Sequence, residues 1–226
     1  MMPGLKTDFR GLLFYLILLA AELLAVILNN SDLQLIFKPL LMPALAGCFL
    51  FSLKQVSNKL KKWVLAALFF SWAGDVLLMF VDKDPNFFLA GLASFLLAHI
   101  FYIVLFHQIR VIEGIKPRII PLIIVVAYYT GLILMLSPYL GDMKLPVRIY
   151  GIVISFMFML AIHMLFIKNR RAGNWMMAGA ALFILSDSIL AINKFYQPFE
   201  PAGFLIMLTY GLAQLFIVRG AIKYIC

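Results

Sequence analysis

Apolar runs of about 20 residues follow one another from end to end of this 226-residue chain, with only short polar breaks between them. That pattern leaves the backbone few solutions. In hydrocarbon every N–H and C=O must be satisfied internally, and an α-helix does this while crossing a core about 30 Å thick. The reading is an all-α polytopic membrane protein with eight transmembrane helices in one bundle, at about 11–28, 33–51, 62–81, 86–107, 119–136, 147–167, 174–192 and 203–223. Residues 1–226 make a single transmembrane domain. At 65% hydrophobic and 13% charged, the chain leaves no stretch for a soluble module. The first apolar run lacks a small-residue cleavage site and reads as a retained helix.

The loop charges alternate along the chain. Lys6 and Arg10, then Lys54, Lys59, Lys61 and Lys62, then Arg110, Lys116 and Arg118, then Lys168, Arg170 and Arg171, and finally Arg219 and Lys223 fall at one face. The other face has only Lys83, Lys144, Arg148 and Lys194. The positive-inside rule puts both termini in the cytoplasm, and seven or nine spans would scramble the asymmetry. Orientation thus accounts for the net charge of +9, and no nucleic-acid partner is expected. Short loops and a strong charge bias point to the inner membrane of a bacterium. Cys48 and Cys226 lie far apart and suggest neither a metal motif nor a disulfide framework.

Two carboxylates sit inside spans, Asp75 in Ser71-Trp72-Ala73-Gly74-Asp75-Val76 and Asp187 in Leu185-Ser186-Asp187-Ser188. An ionised Asp at the centre of a membrane helix costs roughly 2.5–3.5 kcal/mol on insertion scales, which marks each as a candidate for function. At 1.5 Å per residue, Glu22, Lys38, Asp75 and Asp187 fall in one layer about two turns from the outer helix ends. Lys194, seven residues after Asp187, shares its face nearer the surface. Tyr210 and Gln214 share a face of span 8, and His99 and Tyr102 share one of span 4. This predicts a polar cavity in the outer half of the bundle, with Asp75, Asp187 and His99 as catalytic candidates. Lys38, Glu22, Tyr210, Gln214, Lys194 and Tyr102 are the expected substrate contacts.

Blander readings stand beside these. The carboxylates could pair with Lys38 to fix packing, Lys38 could snorkel to the surface, and His99 could make an interhelical hydrogen bond. His107 and His163 lie toward the cytoplasmic ends and read as structural, and no histidine spacing suggests a metal. Pro39 and Pro43 interrupt span 2 and are expected to kink it. Asp75 and Asp187 are separated by the same offset as Gly91 and Gly203, a weak sign of a 4+4 repeat.

Gly74-Asp75-Val76-Leu77-Leu78, Gly91-Leu92, Phe95-Leu96-Leu97-Ala98-His99-Ile100-Phe101-Tyr102 and Ser186-Asp187-Ser188-Ile189-Leu190-Ala191 together resemble the YhhN family of lysoplasmalogenases. Lys38-Pro39-Leu40 and the Tyr210 to Gln214 segment fit it too. The resemblance implies hydrolysis of the vinyl ether bond of lysoplasmalogens to a fatty aldehyde and a glycerophospho-alcohol. The substrate would be a lysophospholipid taken from the membrane, and no cofactor is implied. Two carboxylates suit that chemistry as acid and base, in an order the residues leave open, with His99 or Tyr210 assisting and Lys38 or Lys194 holding phosphate. The competing expectations are a proton-coupled transporter of small molecules using the same carboxylates and an intramembrane aspartyl protease. The active unit is open between a monomer and a homodimer.

Overall fold

The computed structural model describes residues 4–226, with side chains from Arg10 onward, so the expected cytoplasmic charge at Lys6 lies outside the described side chains. Eight α-helices run in order: α1 Gly4–Ile27, α2 Ser31–Ser52, α3 Lys61–Leu78, α4 Asn86–Ile112, α5 Ile119–Leu136, α6 Lys144–His163, α7 Arg170–Ala191 and α8 Ala202–Ile225. A π-turn over Ile192–Tyr196 extends α7, and short 3₁₀ turns flank α6. Among the described residues there is no strand. Seven of the helical stretches are long and apolar enough to cross a membrane. The eighth, α3, has 18 residues and carries Lys61, Lys62 and Asp75.

The helices differ from the expected spans mainly at their ends, where hydropathy and hydrogen bonding part company. α4 continues to Ile112 rather than 107, because Gln108 and Arg110 are polar yet still helical. The Gln108 side chain accepts from Trp63 Nε1 at 3.0 Å. α7 begins at Arg170 rather than 174, where the Asn169 side chain caps the Ala172 N–H at 3.1 Å. α3 stops at Leu78 rather than 81, and residues 79–83 turn toward α4.

α2 stays helical through both prolines. Pro43 has no N–H for the carbonyl of Pro39 one turn earlier, and the indole of Trp72 on α3 takes that carbonyl at 3.1 Å. The freed acceptor becomes a cross-link between α2 and α3.

α8 is the most buried helix and α5 the least. α3 packs extensively on α4 and α7 on α8, the pairs that the 4+4 offset would relate. Tyr102 and Gln214 are also 112 residues apart, as are Asp75 and Asp187, and they hydrogen-bond to each other at 2.5 Å. One end of the bundle is tied by polar contacts among connectors and helix ends. The Arg118 N–H donates to His163 Nε2, and Glu113 accepts from the Lys168 N–H and the Tyr224 hydroxyl. The cavity described next lies toward the opposite end.

Candidate active site

A cavity of about 310 Å³ opens among the ends of α1, α2, α3, α4, α7 and α8, with Tyr150 of α6 closing one side. Asp75, Asp187, Lys38, Lys194 and Tyr210 all line it, so five of the expected site residues converge from four helices and the turn after α7. Most of the remaining wall is aliphatic or phenyl, as small-molecule sites usually are, with few polar groups fixing orientation.

Each aspartate is held by a tyrosine from another helix. Tyr210 of α8 donates its hydroxyl to Asp75 Oδ2 at 2.7 Å, and Tyr150 of α6 donates to Asp187 Oδ2 at 2.5 Å. Hydrogen bonds to a carboxylate run stronger than neutral ones and set the rotamer that each acid presents. Asp75 is 2% exposed, whereas the Asp187 side chain is 15% exposed. His99 Nε2 lies 3.7 Å from Asp187 Oδ2, too far for a hydrogen bond in this state. Its ring is held edge-on between Tyr150 and Phe183.

Behind Asp75 and Tyr210 the polar contacts continue inward. One turn deeper, Gln214 Nε2 donates to Ser71 Oγ at 2.8 Å while its carbonyl accepts from Tyr102. These two rungs arise from sequence spacing: Ser71 precedes Asp75 by four residues on α3, and Gln214 follows Tyr210 by four on α8. Tyr102 and Gln214, expected to touch substrate, are not in the cavity wall but behind it, fully buried. Glu22 is likewise fully buried and outside the cavity lining, with neither carboxylate oxygen hydrogen-bonded. It stays within electrostatic reach of Lys38 and Asp75. Depth along a helix located these three residues, but depth does not say how far round the helix the side chain faces.

Lys38 is half-buried at the cavity wall. Lys194 lies in the π-turn with its Nζ 5.1 Å above the Phe88 ring, a cation–π arrangement that holds a flexible cation at the wall. The residue that sequence reasoning missed is Tyr150. Its signal was available, since Tyr150 lies in span 6 at the depth of the aspartates, but a tyrosine near a membrane interface is common enough to pass unnoticed. Ser186 also lines the cavity and donates to the Ile206 carbonyl at 3.0 Å, tying α7 to α8 beside Asp187.

No solved structure matches this chain. Among curated proteins it is 35% identical over 157 residues to the human lysoplasmalogenase TMEM86B, covering 70% of this chain and 62% of that protein. It is 32% identical over 169 residues to the human lysoplasmalogenase TMEM86A, covering 71% and 65%. A lysoplasmalogenase of Mycobacterium tuberculosis is 29% identical over 163 residues, covering 71% and 60%. The matched part thus spans less than two thirds of these relatives' length. Residues 33–221, which hold both aspartates, the whole of α3 to α7 and most of α2 and α8, match the YhhN family, and the chain belongs to that family.

Proposed function

We propose that this chain is a membrane-embedded lysoplasmalogenase in which Asp75 and Asp187 divide the acid and base work of vinyl ether hydrolysis. The observation that carries the reading is the pair of tyrosine-held carboxylates at one apolar cavity with two lysines at its wall. The relatives named lysoplasmalogenase supply the bond.

Protonation of the vinyl carbon remote from oxygen gives an oxocarbenium-like cation. Water adds to the carbon bearing the oxygen while losing a proton to the base, which forms a hemiacetal. The hemiacetal then collapses. The base returns its proton to the departing glycerol oxygen, the spent acid takes back the hemiacetal hydroxyl proton, and fatty aldehyde and glycerophospho-alcohol leave. One water is consumed and both carboxyl groups are restored. A carboxylate beside the cation also stabilises it electrostatically, as in glycoside hydrolysis. Tyr210 and Tyr150 orient the two acids, and His99 packs against Tyr150 within reach of Asp187 should that side chain move. Lys38 and Lys194 are placed to hold the phosphate. The vinyl ether lies just beneath glycerol and phosphate in a lysolipid, and Asp75 and Asp187 lie about 5–6 Å beneath the ends of α3 at Leu78 and α7 at Ala191. Every residue used comes from one chain, so the reading needs no dimer. With the positive-inside assignment, the termini face the cytoplasm of a bacterium and the cavity opens toward the outer leaflet of the inner membrane.

Purified protein in detergent is expected to release fatty aldehyde from a lysoplasmalogen and none from the saturated ether lysolipid of the same chain length. The second reading, proton-coupled transport, draws on the buried Ser71–Gln214–Tyr102 contacts that continue inward from Asp75. It predicts proton flux into vesicles and no aldehyde.

A further inference from the structure

The cavity of about 310 Å³ has room for a glycerophospho head and the first carbons beyond it, but not for a long alkyl chain as well. If the vinyl ether lies against the two aspartates, the chain must continue past them. On the α3, α4 and α8 side the way is shut, because Ser71, His99, Tyr102, Phe183 and Gln214 are all buried and closely packed.

Behind Asp187 it is not shut. A second chamber of about 40 Å³ lies between α5, α6 and α7, and Asp187 and Tyr150 line both it and the cavity. The wall common to both includes this hydrogen-bonded pair. The chamber's far wall is aliphatic, with Leu132, Ile133 and Leu136 from α5 facing Val147 and Ile154 from α6. α5 is the least buried helix, and its outward face is apolar, so this direction leads to the bilayer. A larger groove of about 240 Å³ between α2 and α3, around Pro43 and Trp72, shares no residue with the cavity.

We infer that the α5–α6–α7 chamber marks the passage by which the alkyl chain of the lipid substrate leaves the cavity for the bilayer, with the first carbons of the chain lying in it beside Tyr150 and Asp187. This rests on the lysoplasmalogenase reading and deepens it. The vinyl carbons are then drawn across Asp187 as the chain is seated, which couples chain binding to alignment of the bond.

The test is chain-length selectivity. Leu132→Trp narrows the chamber from the peripheral helix, where a bulky residue has room to be accommodated. It is expected to lower kcat/KM for a long-chain lysoplasmalogen by about 10- to 100-fold, the cost of a misplaced reacting bond, while a short-chain analogue stays within about threefold. A merely structural defect would lower both alike. Wild-type protein photolabelled by a lysoplasmalogen with a diazirine in its tail is expected to carry the label on α5 or α6. Equal loss for both chain lengths, or label confined to the α2–α3 groove, overturns the chamber assignment while leaving the activity intact. Absence of aldehyde from folded wild-type protein removes the underlying reading and the chamber with it.

Discussion

The two aspartates share a design and differ in what stands behind them. Each comes from the first helix of a closely packed pair, and each accepts a hydrogen bond from a tyrosine of another helix. Asp75 is backed by solid protein: a second rung of polar contacts through Ser71, Gln214 and Tyr102, with Glu22 and Lys38 nearby. Asp187 is more open and has a chamber behind it and a histidine at its edge. A carboxylate fixed on all sides suits a task done in one place, such as delivering a proton to carbon. One with space around it suits contact with mobile species, whether water or a passing alkyl chain.

Removing either carboxylate is the severest way to break this symmetry. Asp75→Asn and Asp187→Asn are each expected to lower kcat by about 10²- to 10⁴-fold, the usual worth of a positioned acid or base. Aldehyde release under saturating substrate measures it. Near-normal turnover in either would end the two-carboxylate account.

The tyrosines sharpen the comparison. Tyr210→Phe and Tyr150→Phe each remove one hydrogen bond to a carboxyl group, worth about 0.5–3 kcal/mol according to whether that group is the protonated acid or the ionised base, so kcat should fall by up to about 100-fold. Tyr150→Phe alone should also shift the preference among chain lengths, because Tyr150 lines the second chamber and Tyr210 does not. Equal shifts in both variants would remove the distinction between a closed and an open site.

The lysines should act on binding rather than on chemistry. Lys38→Met is expected to raise KM for the lysolipid by several-fold with kcat little changed, and exposed Lys194 should matter less than half-buried Lys38. A larger KM effect at Lys194 would place the phosphate at the π-turn instead.

The smallest expected effect concerns the helix pairs that present the acids. A Cβ at Gly179 would stand 2.7 Å from the Ala213 carbonyl oxygen on α8, a backbone atom that cannot step aside. At Gly91 the contact at 2.7 Å is the end of the Leu78 side chain, which can. Gly179→Ala should therefore destabilise by about 1–3 kcal/mol, and Gly91→Ala by less, as read from thermal unfolding in detergent. The reverse order would mean that α3 and α4 form the stiffer pair.

Much of this was legible in the chain. Eight helices follow from hydropathy because lipid admits no other backbone solution for such runs, and α5 begins and ends where the apolar run does. The shared layer of Asp75, Asp187, Lys38, Lys194 and Tyr210, which all line one cavity, was legible as depth once the topology alternates. What depth could not supply was azimuth. Gln214 and Tyr102 are fully buried behind the wall and hydrogen-bond to each other, and Glu22 is likewise buried outside the cavity lining. A helix buried on most sides, as α8 is, has no apolar stripe to reveal which face is inward. Tyr150 went unseen for the opposite reason: α6 places it beside Asp187 through packing between distant segments, which single-helix periodicity does not encode.

The most direct test of the account is a double-variant cycle on kcat for aldehyde release, comparing Asp75→Asn, Asp187→Asn and the combined variant in folded, detergent-purified protein. If the two carboxylates serve one reaction as a unit, each single variant loses about 10²- to 10⁴-fold and the combined variant loses little more than the worse of the two. Single variants that each stay within about threefold of wild type, well short of what acid or base catalysis contributes, would contradict it.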